Sequence, residues 1–346
     1  MDYFIGHHYS KLNDLTTAIA CYKICVSKYP LIDAYLNMAI IYQKTGNNQS
    51  TKDCLQKAYE INKNDLRVLN FLGAIYYLEK DFYKAIEHYE EVIEKNKIQN
   101  SSMKNIYNNI GFACTAIGKC KKALNYFEDG LKINCQKTAD TTKLNVQLLQ
   151  NKLINYDYMM ENPPNVFDEF LRINHYLSTN NMCQRQISKT GKLKVGYVSP
   201  DFRQHVCAFF IEPILKYFDR NKFEVYCYAN VTTEDKVSEK FKNFEGIHWF
   251  NIFELPLNVV CNLIHSHRID ILIDLAGHTN GNRLDVFSQK PAPIQMTYLG
   301  YPNGTGLTSV DYRITDKYAD PVDTKQRFAE NLIYLPRCFV CYTPSF

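Results

Sequence analysis

No stretch of this 346-residue chain approaches 18 uninterrupted apolar residues, so nothing in it reads as a membrane-crossing helix. Its N-terminus also lacks the charged-then-apolar order of a secretory signal. No dense Lys/Arg block is present, and 40 basic against 36 acidic residues leave a net charge of only +4. That balance gives no footprint for nucleic acid or an anionic membrane surface, and no basic import cluster separates nuclear from cytosolic residence. The 12 cysteines follow no framework spacing. Without a signal peptide they are expected to be reduced thiols of the cytosol or nucleus. Cys338-x-x-Cys341 is a lone pair without a second pair nearby, which favours strand-end packing over zinc. What remains is ordinary globular composition, 46% hydrophobic and 22% charged, with room for two or three domains.

Against those absences stands a repeat. A small residue, a bulky one three later, Ala or Thr twelve later and a large apolar residue sixteen later recur four times. The sets are Gly6/Tyr9/Ala18/Tyr22, Ala39/Tyr42/Thr51/Leu55, Gly73/Tyr76/Ala85/Tyr89 and Gly111/Cys114/Ala123/Phe127. Their intervals are 33, 34 and 38 residues. A period near 34 built from two amphipathic helices predicts a tetratricopeptide solenoid, a protein-binding architecture. The small residue is expected where helix A meets helix B, because only a short side chain lets the backbones approach. The first repeat starts at Met1 with almost no lead-in and is expected to be clipped. The longest interval predicts a rim loop over Lys97–Met103, around Asn100, Ser101 and Ser102. Asn37 and Asn109 each lie two residues before a small position and are expected to face the concave groove. Their amides could pair with an extended peptide backbone there, or simply be solvated helix residues. Phe71 at the equivalent place in the third set interrupts any continuous ladder.

Helical periodicity continues from Thr138 to about Asn174 without the repeat key, around a break at Pro163-Pro164. Ser178–Lys192 is polar and irregular and reads as a linker. At Leu193 the pattern changes to short β-rich runs: Leu193–Ser199, Phe223–Asn230, Ile247–Ile252, Ile269–Leu275, Pro293–Tyr301, Asp311–Thr315 and Leu332–Leu335. Helical stretches such as Phe209–Phe218, Val237–Phe241 and Asn258–His265 alternate with them. This predicts a parallel, doubly wound sheet. The domains are therefore expected at 1–134 (repeats), 135–190 (helical connector and linker) and 191–346 (α/β lobe). Ligands of such sheets gather beyond the carboxyl ends of the strands. The loops there are Ser199-Pro-Asp-Phe-Arg-Gln-His205, Asp274-Leu-Ala-Gly-His-Thr-Asn-Gly-Asn-Arg283 and Tyr298-Leu-Gly-Tyr-Pro-Asn-Gly-Thr-Gly306. His205 and His278 stand out in them, while the other histidines have no convergent context. No G-x-G-x-x-G follows the first strand, where Ser199-Pro-Asp stands instead, so a dinucleotide-binding oxidoreductase is not indicated.

Gly196-Tyr-Val-Ser-Pro-Asp-Phe with His205, Gly277-His-Thr, Pro291-Ala-Pro-Ile-Gln and Gly300-Tyr-Pro-Asn-Gly-Thr-Gly-Leu resemble, in order, the loops of a particular enzyme family. These are the protein O-glycosyltransferases that join tetratricopeptide repeats to a two-lobed sugar-transfer unit of GT-B type. The family includes O-GlcNAc transferases and SPINDLY-type O-fucosyltransferases. Asp311-Tyr-Arg-Ile-Thr-Asp316, Ala319-Asp-Pro, Asp323-Thr-Lys-Gln326 and Leu335-Pro-Arg-Cys-Phe-Val-Cys-Tyr-Thr-Pro-Ser345 are closer to the SPINDLY branch. The resemblance implies transfer of a sugar from a nucleotide diphosphate donor, GDP-fucose ahead of UDP-GlcNAc, to Ser or Thr of intracellular proteins held by the repeats. It implies His205 as the active-site histidine, and Gly277, His278, Thr279, Tyr301, Pro302 and Thr305 as cleft-lining residues. No metal cofactor is implied, and homo-oligomers are compatible with it. Enzymes of this kind continue into a second lobe that binds the nucleotide. Since the sequence stops at Phe346, the chain is expected to supply the repeats and the N-terminal lobe and not to turn over alone. The alternative is a non-catalytic adaptor built on the repeat groove.

Overall fold

The structure is a computed structural model that describes residues 1–96, 101–136, 138–159, 166–177, 187 and 191–342. The Pro163-Pro164 break, residues 97–100 of the expected rim loop, and residues 178–186 and 188–190 of the expected linker lie outside the described residues. The chain forms two compact units, Met1–Leu144 and Asn145–Phe346.

The first unit is four helix pairs: α1 (Asp2–Lys11) with α2 (Leu15–Lys28), α3 (Ile32–Lys44) with α4 (Asn48–Ile61), α5 (Leu66–Leu78) with α6 (Phe82–Lys95), and α7 (Ser101–Ala116) with α8 (Cys120–Lys132). The second helix of three pairs starts on an Asp or Asn cap: Asp14, Asn47 and Asp81 accept from the amides of Thr17, Ser50 and Lys84 at 3.1, 3.0 and 3.3 Å. Each pair turns on a residue with positive φ, namely Asn13, Gly46, Lys80 and Gly118. All four lie seven positions after the small residue, so the turn is part of the repeat. The small residue is dictated by a ring. A Cβ on Gly6, Gly73 or Gly111 would sit 2.9, 2.7 or 2.3 Å from the ring of Tyr22, Tyr89 or Phe127 respectively. The second repeat can carry Ala39 because Leu55 takes the ring's place. Tyr22, Leu55, Tyr89 and Phe127 are all buried. Burying a large apolar side chain of this kind contributes about 1.5–3 kcal/mol, which the glycine makes room for. Ser101 and Ser102, expected in the rim loop, instead open α7, and Met103 behind them is buried in the core. A serine pair suits a helical first turn as well as it suits a loop.

The second unit brings most of α9 (Ala139–Tyr158) and α10 (Val166–Leu177) to a seven-stranded sheet. The strands are β1 (Leu193–Ser199), β2 (Phe223–Ala229), β3 (Ile247–Asn251), β4 (Ile271–Asp274), β5 (Ile294–Thr297), β6 (Tyr312–Thr315) and β7 (Asn331–Tyr334). Between them run α11 (Val206–Tyr217), α12 (Lys236–Lys242), α13 (Leu257–Ser266) and α14 (Leu284–Ser288). All pairings are parallel and the order is β3-β2-β1-β4-β5-β6-β7. The chain thus reverses direction across the sheet between β1 and β4, where Val195 pairs with Val225 on one side and Ile271 on the other. The core of the face under α11 and α12 joins Val195, Tyr197, Phe202, Ala208, Ile211, Leu215, Cys227 and Phe241. The solenoid followed by a doubly wound α/β lobe is the architecture the sequence predicts. The five-residue α14, too short to show a helical period, is the element that reading lacks.

Candidate active site

The reversal between β1 and β4 makes a crevice out of the loops that follow those strands. The first loop is set by its neighbours. Asp235, the capping residue of α12, accepts from the Gln204 amide at 2.6 Å, and the Ser238 hydroxyl donates to the Phe202 carbonyl at 2.7 Å. The second loop abuts it: Gly281, at φ +77°, would carry a Cβ 2.9 Å from Cβ of Pro200. Asn230 donates to the Gly281 carbonyl at 2.8 Å from the end of β2. Three strand ends are thereby locked around one point.

His205 stands at that point as the N-cap of α11, its backbone extended at φ −156°, ψ 156°. Its Nδ1 accepts from the Cys207 amide at 3.3 Å and lies 3.5 Å from Oδ1 of Asp201, four residues earlier in the loop. The second distance is too long for a hydrogen bond but close enough for strong attraction once the ring is protonated. Burial pushes the Asp201 carboxyl up from its ordinary value, with His205 and then Arg203 pulling it back down. The cap and the carboxylate both address Nδ1, which leaves Nε2 as the ring nitrogen available to a ligand. With its side chain 38% exposed, His205 is the reachable member of this group and Asp201 is its buried support.

The loops after β4 and β5 behave differently. Asp274 at the end of β4 accepts from the amides of Ala276 and Gly277 at 3.1 and 2.8 Å and from the Thr297 hydroxyl at 2.9 Å. Burial outweighs these donors and pushes its carboxyl up to about 6. Gly277, at φ +55°, lies so close to Tyr301 that a Cβ would stand 2.4 Å from the tyrosine Cβ. His278 is 2% exposed, stacked edge-on to Tyr301 at 5.1 Å and tilted against Phe170 at 5.4 Å. Neither of its ring nitrogens has a well-formed hydrogen bond, though the backbone of Thr305 and Gly304 lies near. Burial therefore drives its pKa down to about 3, and the ring is neutral.

Tyr301 and Asn303 donate to the Asp157 carboxylate from α9 at 2.5 and 2.8 Å. Thr305 is fully buried, giving its amide to Glu330 at 2.6 Å and its hydroxyl to the same carboxylate. Arg313, buried on β6, pairs with Asp320 at 3.2 Å and donates to the carbonyls of Tyr301, Pro302 and Asn303 at 3.3, 2.8 and 2.9 Å. The expected cleft residues thus fall into two sets. Thr279 is half-buried and Pro302 exposed, while Gly277, His278, Tyr301 and Thr305 are buried beneath them as fixed scaffolding. Asp157, Asp201, Asp274, Arg313 and Glu330 do the fixing, and none was singled out from sequence. Asp201 had one legible signal, its i,i+4 spacing to His205.

In the solenoid, Asn37 donates to the hydroxyls of Tyr22 and Tyr3 at 3.2 and 3.4 Å. Asn109 makes the equivalent link to the Tyr89 hydroxyl. Cys338 and Cys341 are exposed free thiols after β7.

The pattern of glycosyl transferase family 41 matches residues 169–342, half of the chain, and tetratricopeptide repeat patterns match 32–65 and 64–136. The chain belongs to glycosyl transferase family 41. Among its relatives is the probable UDP-N-acetylglucosamine–peptide N-acetylglucosaminyltransferase SPINDLY of Arabidopsis thaliana, 44% identical over 156 residues, which are 44% of this chain and 17% of that protein. The similarly named SEC of the same plant is 32% identical over 148 residues, 43% of this chain and 15% of that one. The matched region is thus about a sixth of the length of these curated relatives. Among solved structures, a mutant Thermobaculum terrenum O-GlcNAc transferase shares the fold, with TM-score 0.71 at 23% identity over 89% of this chain and 58% of that one.

Proposed function

We propose that this chain is the repeat-bearing and first-lobe part of a protein O-glycosyltransferase acting on Ser or Thr hydroxyls. The observation that carries the reading is the turn from β1 into α11. There a partly exposed His205, backed by buried Asp201 at 3.5 Å, sits where the strand order reverses. In the proposed reaction the acceptor hydroxyl attacks the anomeric carbon as the bond to the nucleotide diphosphate breaks. The hydroxyl proton passes through a relay to Nδ1 of His205, whose lone pair is released from the Cys207 amide as it is protonated. Nε2–H donates to the bound ligand, and the Asp201 carboxylate stabilises the imidazolium that forms. The amides opening the first turn of α11 favour the negative charge of the departing diphosphate. Thr279 and Pro302 are the surface the ligands meet. Gly277, His278, Tyr301 and Thr305 hold that surface in place. Asn37 and Asn109 are proposed to face the bound acceptor with their carbonyl oxygens, their amide groups being engaged by tyrosines. No metal cofactor enters the scheme.

For the donor, the later-strand motifs of the SPINDLY branch favour GDP-fucose, while the names of the relatives favour UDP-GlcNAc. Calorimetric titration of the chain, extended through any downstream reading frame, with each donor, followed by mass spectrometry of acceptor proteins incubated with the tighter one, tests both levels. Fucose on Ser/Thr supports the first donor and N-acetylglucosamine the second. A protein that binds neither nucleotide and modifies nothing overturns the enzyme reading. The repeats at 32–136 then support the adaptor, a scaffold presenting its groove to other proteins. No helix among the described residues is long and apolar enough to cross a membrane, in keeping with the proposed cytosolic or nuclear site of action.

A further inference from the structure

The β1–α11 turn gathers three different donor atoms. Asp201 Oδ1, His205 Nδ1 and Cys207 Sγ lie within 4.8 Å of one another, and the first two are 3.5 Å apart. Two light-atom ligands at about 2.0–2.1 Å from a tetrahedral zinc are themselves ~3.4 Å apart, so this pair is already at the spacing of a coordination edge. An independent observation points the same way. Asp201 is only 6% exposed, yet its carboxylate accepts no hydrogen bond from any described residue. Its polar surroundings are the His205 ring at 3.5 Å and the Arg203 guanidinium at 4.0 Å. Buried carboxylates ordinarily have fixed donors, and one without them has charge to spend on a cation. Cys207 is a free, partly buried thiol. A set of one oxygen, one nitrogen and one sulfur selects zinc over magnesium or calcium, which reject thiolate.

We propose that Asp201, His205 and Cys207 form a Zn²⁺ site, completed by solvent, whose occupation switches off the chemistry at His205. Zinc displaces the proton of the Cys207 thiol, which passes to solvent. It also takes the Nδ1 lone pair that accepts from the Cys207 amide at 3.3 Å, so the cap of α11 opens as the metal binds. The site is inhibitory and not a cofactor site, because the ring that binds the metal can no longer accept a proton. This consequence rests on the role proposed for His205 above; the metal binding itself does not.

The test uses Co²⁺ as a coloured probe and Zn²⁺ as its competitor. It is run in a Cys338→Ser/Cys341→Ser background so that the exposed pair does not contribute. One Co²⁺ per chain with a thiolate-to-cobalt charge-transfer band, bleached by one equivalent of Zn²⁺, is expected. Cys207→Ser should abolish the band. Asp201→Asn should keep it but weaken Zn²⁺ at least tenfold in competition with a chelating dye. Trp249 fluorescence, from the only tryptophan of the chain, verifies that each variant is folded, and Cys207→Ala replaces a serine variant that is not. A band that survives Cys207→Ser, or Zn²⁺ affinity unchanged in both variants, overturns the site. Zinc that binds as expected but leaves sugar transfer by the chain extended through any downstream reading frame undiminished overturns the switch and, with it, the proposed role of His205.

Discussion

Replacing His278 by Phe should remove a pH dependence from the α/β unit while leaving its packing in place. The folded imidazole has its pKa depressed to about 3 by burial, against about 6.5 in an unfolded chain. Below pH 6.5 the unfolded state takes up a proton that the folded state refuses, so stability is present above pH 6.5 and lost as pH falls toward 3. Between pH 7.5 and 5.0 the loss amounts to about 2 kcal/mol, at 1.36 kcal/mol per unit over the roughly 1.5 units crossed. Asp274 acts in the opposite sense. Its carboxyl is raised to about 6, so the folded state holds its proton longer and gains about 1.4 kcal/mol on the same descent. That contribution is common to both proteins and cancels when the variant is compared with the parent. Phe keeps the ring against Phe170 and Tyr301 and cannot titrate. Urea unfolding followed by Trp249 reports on this unit alone, since the tryptophan lies in β3. For a slope near 2 kcal/mol per molar urea, the parent midpoint should fall about 1 M further than that of His278→Phe between the two pH values. Equal shifts in the two proteins would refute the neutral, buried histidine.

His205→Asn separates capping from chemistry. Asn is among the best N-caps, so the thermal midpoint should hold within a degree or two, while sugar transfer by the chain extended through any downstream reading frame drops roughly 10²–10⁴-fold in a labelled-donor assay. Gly111→Ala should cost about 1–3 kcal/mol in helical melts by circular dichroism, because its Cβ would press into Phe127. Adding Phe127→Leu, the Ala–Leu combination that Ala39 and Leu55 already use, should recover most of that loss. Arg313→Met should destabilise the α/β unit by roughly 3–5 kcal/mol in urea, since it strands Asp320 and frees three loop carbonyls.

All seven strands were legible because a sheet covered on both faces writes itself as short apolar runs, and the repeats because their spacing is fixed by helix geometry. The turn residue seven positions after each small residue was not, since its chemistry varies from Asn13 to Lys80 while its backbone does not. His205 was legible from its place at the end of the first strand. Its neighbour Asp201 was not, because its burial and its 3.5 Å approach to the ring exist only once the turn is folded. His278 illustrates the opposite difficulty. A histidine in a glycine-rich loop reads as chemistry, and only the rings of Phe170 and Tyr301 closing over it reveal a neutral packing group.

The amide–hydroxyl links of the solenoid bear on how such a protein can change over time. Asn37 follows a repeat ending in Tyr22, and Asn109 one ending in Tyr89, while Phe71 follows the repeat that carries Leu55. Each junction is therefore a lock and its key: amide with phenol, ring with aliphatic. Exchanging the second repeat for the third would set Asn beside Leu and strand a polar group against an apolar one. Repeats that look interchangeable by their period are in fact ordered, and duplication or shuffling is tolerated only where both halves of a junction travel together.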